Sequence, residues 1–239
     1  MTSPHVLDKL RQYDTPTVCN IIELFDIRPR NAGFMDDRIR ANFPELKPMV
    51  GFASTATFRA AVPPRASDAY HSLEAHLERF GEIPGPPIPV FQDLDSPVAA
   101  ATFGEIMCTS YQAFGAVGLI TSGAGRDLEQ VRQLEFPVFT SGTICAHGYC
   151  QIIDVHVPVH VGGLAVYPGD LLHGDLNGVT NIPVEIASEV ADAAAEFVAA
   201  EKVILDALRA PSVTLSVLRE AITEKDAQIE RLKQRLIRK

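Results

Sequence analysis

No stretch of this 239-residue chain is apolar for the roughly 18 residues that a membrane helix requires, so no membrane partner is expected. Charges interrupt the N-terminus MTSPHVLDKLRQYD throughout, unlike a secretory leader, and a cytoplasmic location is the expectation. Cysteine is scarce. Cys19, Cys108, Cys145 and Cys150 form no CxxC pair, and Cys145 with Cys150 lacks zinc-ligand partners at the usual spacing; reduced, mostly buried thiols are expected. Positive charge is also in deficit. The net charge is −9, and because residues 212–239 carry seven Lys or Arg against four Asp or Glu, the rest of the chain stands at −12. An acidic body argues against nucleic acid as the partner, since phosphate binding needs a basic surface. It leaves open small anions in a local positive pocket, or a basic protein partner. A dinucleotide fingerprint is missing too: after Gly123 and Gly125 the third glycine would fall at Leu128.

What remains is a globular composition, 46% hydrophobic, long enough for one good core with an appendage. Ser3-Pro4 and Thr15-Pro16 each place a capping residue before a proline, and helices are expected over about 4–12 and 16–25. Residues 29–48 are polar and turn-rich and read as a surface excursion. VGFASTATF (50–58) reads as a strand, 67–80 as a helix covering the sheet, and 90–94 as a short strand. Strands alternate with helices through the first half, so the class is α/β. Beyond Asp127 the spacing shortens to meandering strands, suggesting a curled or barrel-like second layer packed on the parallel part. From Val184 the chain is helical, with a break at Pro211. The expected division is a core of 1–183 and a C-terminal helical extension of 184–239. Leu218, Ile222, Ile229, Leu232 and Leu236 form a stripe on the last helix that suits another subunit or a neighbouring helix.

The organising stretch is FGEIMCTSYQAFGAVGLITSGAGRD (103–127). The apolar run 99–103 reads as a strand leading into a helix from Gly104 to Phe114. The first turn of that helix offers unpaired N–H groups and a positive dipole end, which favour a carboxylate or phosphate. A second apolar run, 117–121, ends in the loop 122–125, followed by Arg126 and Asp127. If the two strands lie side by side and parallel, an anion hole, a guanidinium and a metal-capable carboxylate converge at one sheet edge. A plainer alternative is that Asp127 caps the helix 128–134. His156 and His160 share a strand face with Pro158 between them and read as exposed histidines rather than ligands. His147 and His173 lie near turns, where either is a loop residue or reaches the site. Asp170 and Asp175 could pair as acid and base, but their turn-forming setting favours structural roles.

Glu105, Arg126-Asp127, FPVFTSGT (136–143) and GGLAVYPGDLLHGDLNGVTNIP (162–183) together resemble the RraA-like family. That family includes the 4-hydroxy-4-methyl-2-oxoglutarate/4-carboxy-4-hydroxy-2-oxoadipate aldolases. The resemblance implies a swivelling β/β/α-type fold with C-terminal helices, a homotrimer or dimer of trimers, and a divalent metal, Mg2+ or Mn2+. It implies that Asp127 binds the metal, that Arg126 contacts the pyruvyl oxygen, and that the turn Gly104, Glu105, Ile106, Met107 binds the pyruvate carboxylate. The chain departs from the family pattern in two places: Glu105 stands where the aldolases commonly have aspartate, and Gln130 where they favour an acid. The implied activity is a metal-dependent pyruvate aldolase acting on a 4-hydroxy-2-oxo acid, with Arg126, Asp127 and Glu105 as the catalytic set and oxaloacetate decarboxylation as a side activity. The alternative is a non-catalytic regulator that binds a ribonuclease.

Overall fold

The computed structural model describes residues 2–65 and 72–237. Two short helices open the chain, α1 (Pro4–Leu10) and α2 (Thr15–Glu23). The cap of α2 is Asp14, one residue before the expected Thr15; its carboxylate accepts from Thr17 N at 3.0 Å. Val18, Ile21 and Ile22 of α2 face the core, as their spacing predicts. Residues 29–48 are less superficial than expected. Met35, Ile39 and Phe43 are buried there, and the segment supplies the two-residue strand β1 (Arg40–Ala41).

The fold is built on β2 (Met49–Arg59), whose ten residues before Arg59 are all buried. Small and β-branched side chains let other elements cover both of its faces. After β2 come α3 (Leu73–Glu78), a 3₁₀ turn (Arg79–Glu82) and β3 (Pro87–Asp93). The part of the expected 67–80 helix that falls on 67–71 lies outside the described residues. The site region follows with β4 (Ala101–Phe103), α4 (Glu105–Ala113), β5 (Leu119–Thr121), β6 (Ala124–Gly125) and α5 (Leu128–Gln133). Then come β7 (Val138–Thr140), β8 (Gly142–Thr143), β9 (Gln151–Val155), β10 (Val159–Val161), β11 (Leu164–Val166), β12 (Leu171–Asp175) and β13 (Gly178–Ile182). Two long helices, α6 (Ala187–Leu208) and α7 (Leu215–Ile237), complete the described chain.

The main sheet runs β1-β7-β5-β3-β2-β12-β13, with β9 also on β2. β2 is long enough to serve three neighbours: β3 parallel on one edge, β12 antiparallel at residues 49–52, and β9 antiparallel at residues 56–59. Four of the later strands, β7, β9, β12 and β13, extend this same sheet, while β8 joins a small separate sheet and β10 and β11 pair with each other, so the expected curled second layer is in large part the curl of the main sheet itself. An isolated bridge from Phe34 to Thr180 ties the segment before β1 to β13 at the far edge, so the sheet is nearly closed into a barrel. Inside it pack Met49, Val90, Ile120, Phe139 and Leu172. Residues 152–161 are not one alternating strand either, because His156 takes a left-handed conformation (φ 56°) that separates β9 from β10.

α6 lays Val190, Ala194 and Phe197 against α1, α2 and β2, and Leu232 and Leu236 of α7 join the same cluster. The C-terminal half of the apolar stripe is thus a same-chain contact. Its other half stays open, with Ile222 exposed. Among the described residues no helix is long and apolar enough to cross a membrane.

Candidate active site

The two apolar runs expected to pair do not. β5 lies in the main sheet between β3 and β7, whereas β4 belongs to a separate parallel sheet of order β4-β6-β8. The loop expected at 122–125 makes the link: the chain leaves β5 at Thr121, crosses at Ser122-Gly123 and re-enters as β6 beside β4. Glycine is needed at the crossing, because a Cβ on Gly123 would meet Asp93 Oδ2 and Thr102 Oγ1 at 2.5 Å. Arg126 N then donates to Phe103 O at 3.1 Å, which fixes the residue after β6 against the end of β4. The convergence anticipated from the sequence is reached through β6 rather than β5.

At the end of β4, Gly104 is the N-cap of α4 and offers no side chain to cap it. The cap comes from elsewhere. Glu105 N donates to Asp127 Oδ2 at 3.1 Å, and Arg126 Nε stands 3.7 Å from the same oxygen. A negative carboxylate thus sits at the positive end of α4. Asp127 does occupy the N-cap position of α5, but with φ 54° and no side-chain bond to that helix. The plain capping role is therefore corrected: Asp127 caps the neighbouring helix. Aspartate tolerates the left-handed region better than most residues, and that conformation turns its side chain across to α4. The approach is close enough that a Cβ on residue 104 would collide with Asp127 Oδ2 and lie 3.0 Å from Arg126 Nε.

Three groups are left with unspent capacity. Among the described residues Asp127 Oδ1 accepts no hydrogen bond, the Ile106 and Met107 N–H groups have no partner, and the exposed Glu105 carboxylate has no ion pair. All of them border a cleft of about 430 Å³. Its other walls come from Phe58, Leu73, Ile152, His147 and Cys150. Among the described residues no three His, Cys, Asp or Glu side chains are grouped to hold a metal. Magnesium and manganese are commonly held by one or two carboxylates with several waters. Asp127, on the cleft, could hold such an ion.

Cys108 and Cys150, the cysteines nearest the site, are not poised for nucleophilic work. Burial pushes the Cys108 thiol far up, and the negative Asp127 adds to that; burial raises Cys150 as well. Cys145 and Cys150 are nonetheless exposed, contrary to the expectation of mostly buried thiols. Asp93, behind the site, has its carboxyl raised to about 6, first by burial and then by nearby Asp95; among the described residues its buried Oδ2 has no partner.

The remaining candidates fall away from the site. Asp170 accepts from Tyr167 N, and Asp175 accepts from Thr15 N and Asn177 N, so both hold turns. His173 is buried between Thr15 and the Leu10 carbonyl. His156 and His160 do not share an exposed face. The His156 side chain is almost covered, with Nε2 3.0 Å from Ser54 Oγ and Nδ1 3.2 Å from Glu82, and desolvation lowers its pKa. Of the described histidines, His147 lines the cleft, and its Nδ1 donates to Gly148 O at 2.8 Å.

One arrangement has no counterpart in the sequence reading. His76 on α3 is completely buried, with Nε2 2.9 Å from Ser54 Oγ and Nδ1 2.8 Å from Tyr111 OH. Ser54 also meets His156, so a polar chain runs from Tyr111 on α4 through His76 and Ser54 to His156 and Glu82. It ties α3, β2 and α4 together beneath the cleft. No local pattern announces it, since each member comes from a different part of the chain.

Comparison with known proteins agrees with this architecture. Over residues 15–180 the chain matches the RraA-like family model, described as Aldolase/RraA. It is 38% identical over 84 residues to a candidate 4-hydroxy-4-methyl-2-oxoglutarate aldolase of Halalkalibacterium halodurans, covering 35% of this chain and 40% of that protein. An uncharacterised protein of Methanocaldococcus jannaschii is 32% identical over 91 residues, covering 38% of this chain and 44% of the other. These matches therefore span less than half of each relative. Among solved structures, an uncharacterised protein from Pseudomonas syringae superposes with a TM-score of 0.72 at 23% identity, over 93% of this chain and 94% of that one. Streptomyces coelicolor RraAS2, an unusual member of the RNase ES inhibitor RraA family, gives 0.67 at 24%, over 84% and 96%. At such identities the likeness establishes the fold. With its family model matched over most of its length and its barrel and parallel site strands in place, the chain belongs to the RraA-like (Aldolase/RraA) family.

Proposed function

We propose that this chain is a divalent-metal-dependent lyase that cleaves a 4-hydroxy-2-oxo acid to pyruvate and a second carbonyl compound. The observation that carries the reading is the junction of Gly104, Arg126 and Asp127. Asp127 lines the cleft with one oxygen anchored on Glu105 N and the other accepting no hydrogen bond among the described residues, and a guanidinium stands beside it.

The reaction sets the requirements. Breaking the C3–C4 bond leaves its electron pair on C3, as an enolate whose charge spreads to the C2 oxygen. The C4 hydroxyl loses its proton and becomes a carbonyl, and C3 then takes up a proton to give pyruvate. The barrier lies in the developing negative charge, so fixed donors near the C2 oxygen lower it. Magnesium or manganese held by Asp127 would supply Lewis-acid polarisation of the 2-oxo acid. Arg126 adds a charge-assisted hydrogen bond to the same oxygen. The free N–H groups of Ile106 and Met107 suit the substrate carboxylate at the start of α4. Glu105, exposed and without an ion pair among the described residues, would take the C4 hydroxyl proton through a water, a role a group from a neighbouring subunit could equally fill. Oxaloacetate would yield the same enolate by losing carbon dioxide, so its decarboxylation is an expected side activity.

The family resemblance also implies a homotrimer or dimer of trimers. Ile106 at the cleft and Tyr149 beside it are 81% and 52% exposed, apolar surface that such an assembly would cover. The test is pyruvate release from 4-hydroxy-4-methyl-2-oxoglutarate and from oxaloacetate, with added Mg2+ or Mn2+ and with chelator. Metal-dependent release that Asp127→Ala abolishes supports the lyase. If no pyruvate forms while the protein binds a ribonuclease regardless of Asp127, the regulator reading replaces it.

A further inference from the structure

The hairpin of α6 and α7 outruns the body it packs on. Val190, Ala194 and Phe197 of α6 lie against α1, α2 and β2, and Leu232 and Leu236 of α7 join them. Among the described residues nothing between 201 and 220 is buried, so the outer ends of both helices and the turn joining them stand in solvent. The sequence carries the apolar face outward all the same. Val198, Leu205 and Leu208 follow Ala194 by four, eleven and fourteen residues, and Ile222 and Leu215 precede Leu236 by two and three heptads. At helical spacing each set continues the stripe that is buried lower down. All five are exposed, Leu215 by 70%, and apolar surface gathered in this way marks an interaction site.

The charges beside the stripe select the partner. Arg219 and Asp226 follow Leu215 and Ile222 by four residues each, on the same open edge of α7, and both are exposed. Asp226 Oδ1 holds Lys225 of its own chain at 2.7 Å, and Arg219 has no ion pair among the described residues. A second α7 laid antiparallel about a twofold axis at Ile222 sets Leu215 against the partner's Ile229 and Arg219 against the partner's Asp226. The members of each pair are equally far from the axis to within one residue, about 1.5 Å of helix rise. The twofold repeats both contacts. A parallel pair would instead set Arg219 against Arg219 and Asp226 against Asp226, which like-charge repulsion disfavours. The edge therefore complements itself in the antiparallel direction.

We infer that this face binds a second copy of the chain: the hairpins of two copies pack antiparallel as a four-helix bundle, with Ile222 on the twofold axis and Arg219 paired to Asp226 across it. The apolar contact supplies the affinity, and the exposed ion pairs set the direction. The hairpin lies beyond residues 15–180, which match the family model, and its pairing doubles whatever assembly the body forms by itself. It does not depend on the lyase reading.

Sedimentation equilibrium of the full chain tests the pairing, with circular dichroism melts to show that each variant is folded. The parent should have twice the mass of Ile222→Glu at the same concentration. Arg219→Asp alone and Asp226→Arg alone set like charges across the axis, and each should raise the dissociation constant of the pairing about tenfold or more, because the twofold repeats the clash. The double swap Arg219→Asp with Asp226→Arg restores opposite charges and should return that constant to within about threefold of the parent. Equal masses for the parent and Ile222→Glu overturn the inference and leave the face to a different partner. A double swap that binds no better than the single swaps overturns the antiparallel pairing, and the inference with it.

Discussion

Replacing Gly104 with alanine adds one carbon at the most crowded point of the site. The backbone at Gly104 is extended (φ −144°, ψ −168°), so alanine adopts it without strain and any effect comes from contact alone. The new Cβ would overlap Asp127 Oδ2 and lie 3.0 Å from Arg126 Nε and 3.3 Å from Arg126 Cγ. Relief requires the carboxylate to retreat by on the order of 1 Å, because carbon and oxygen in contact sit about 3.3 Å apart. Its bond from Glu105 N begins at 3.1 Å and would not survive such a shift. Loss of a charge-assisted bond at this partly exposed position costs about 1–2 kcal/mol, which lowers the melting temperature by roughly 2–8 °C for a chain of this size. Catalysis should suffer more than stability. A displacement of about 1 Å in a positioning group costs on the order of 100-fold in rate. Pyruvate formation coupled to lactate dehydrogenase, with thermal melts alongside, measures both. A Gly104→Ala protein that folds and keeps kcat/KM within about threefold of the parent would refute the idea that Asp127 must sit against α4.

Three further outcomes follow from the same geometry. Arg126→Ala should lose about 2–4 kcal/mol of transition-state stabilisation, the worth of an oxyanion donor, seen in kcat/KM for pyruvate release; Arg126→Lys should recover only part, because a point charge does not reproduce the guanidinium fork. His76→Phe would leave Ser54 Oγ and Tyr111 OH without their histidine partner in the core, at about 1–3 kcal/mol for each unsatisfied group, and denaturant unfolding should show a lower midpoint. Asp93→Asn should be pH-dependent in effect. The folded carboxyl is raised to about 6, so between its unfolded value and about 6 the folded chain holds the extra proton, and the parent loses stability as pH rises through that window. The variant should therefore melt higher than the parent at pH 8, with the difference gone by about pH 4; equal melting curves at pH 8 would count against the unpaired burial of Asp93 Oδ2.

The parts of the site legible in the sequence are those that local pattern encodes. An apolar run followed by Gly104 and a helical segment announces a strand leading to a helix start, and Arg126-Asp127 stands out as a charged pair just before another helix. The resemblance of the 104–183 blocks places both in a family that the matched model establishes. The partner of β4 was not legible, because β6 is only Ala124–Gly125 and two small residues carry no periodicity. Nor was the direction of the Asp127 side chain. The sequence offers it as the cap of the helix it precedes, and only the packing of β4 beside β6 brings α4 close enough to take it instead. The polar chain from buried Tyr111 out to exposed Glu82 joins residues from α4, α3, β2, the β9–β10 junction and the turn after α3, which no window of the sequence spans. The stripe on α7 shows the limit of amphipathic patterns. It marks Leu232 and Leu236 as buried but does not say against what, and half of the answer is the chain's own α6 cluster.

The most direct test of the central claim needs no knowledge of the natural substrate. Pyruvate in deuterated water, with the protein and Mn2+ or Mg2+, should exchange its methyl protons for deuterium as the enolate forms and collapses, followed by loss of the methyl signal in proton NMR. The exchange should stop on adding chelator, vanish in Asp127→Ala and fall steeply in Arg126→Ala. Exchange that persists at the parent rate in folded Asp127→Ala, or its absence from the parent protein at every metal concentration, would contradict a metal–enolate site built on Asp127.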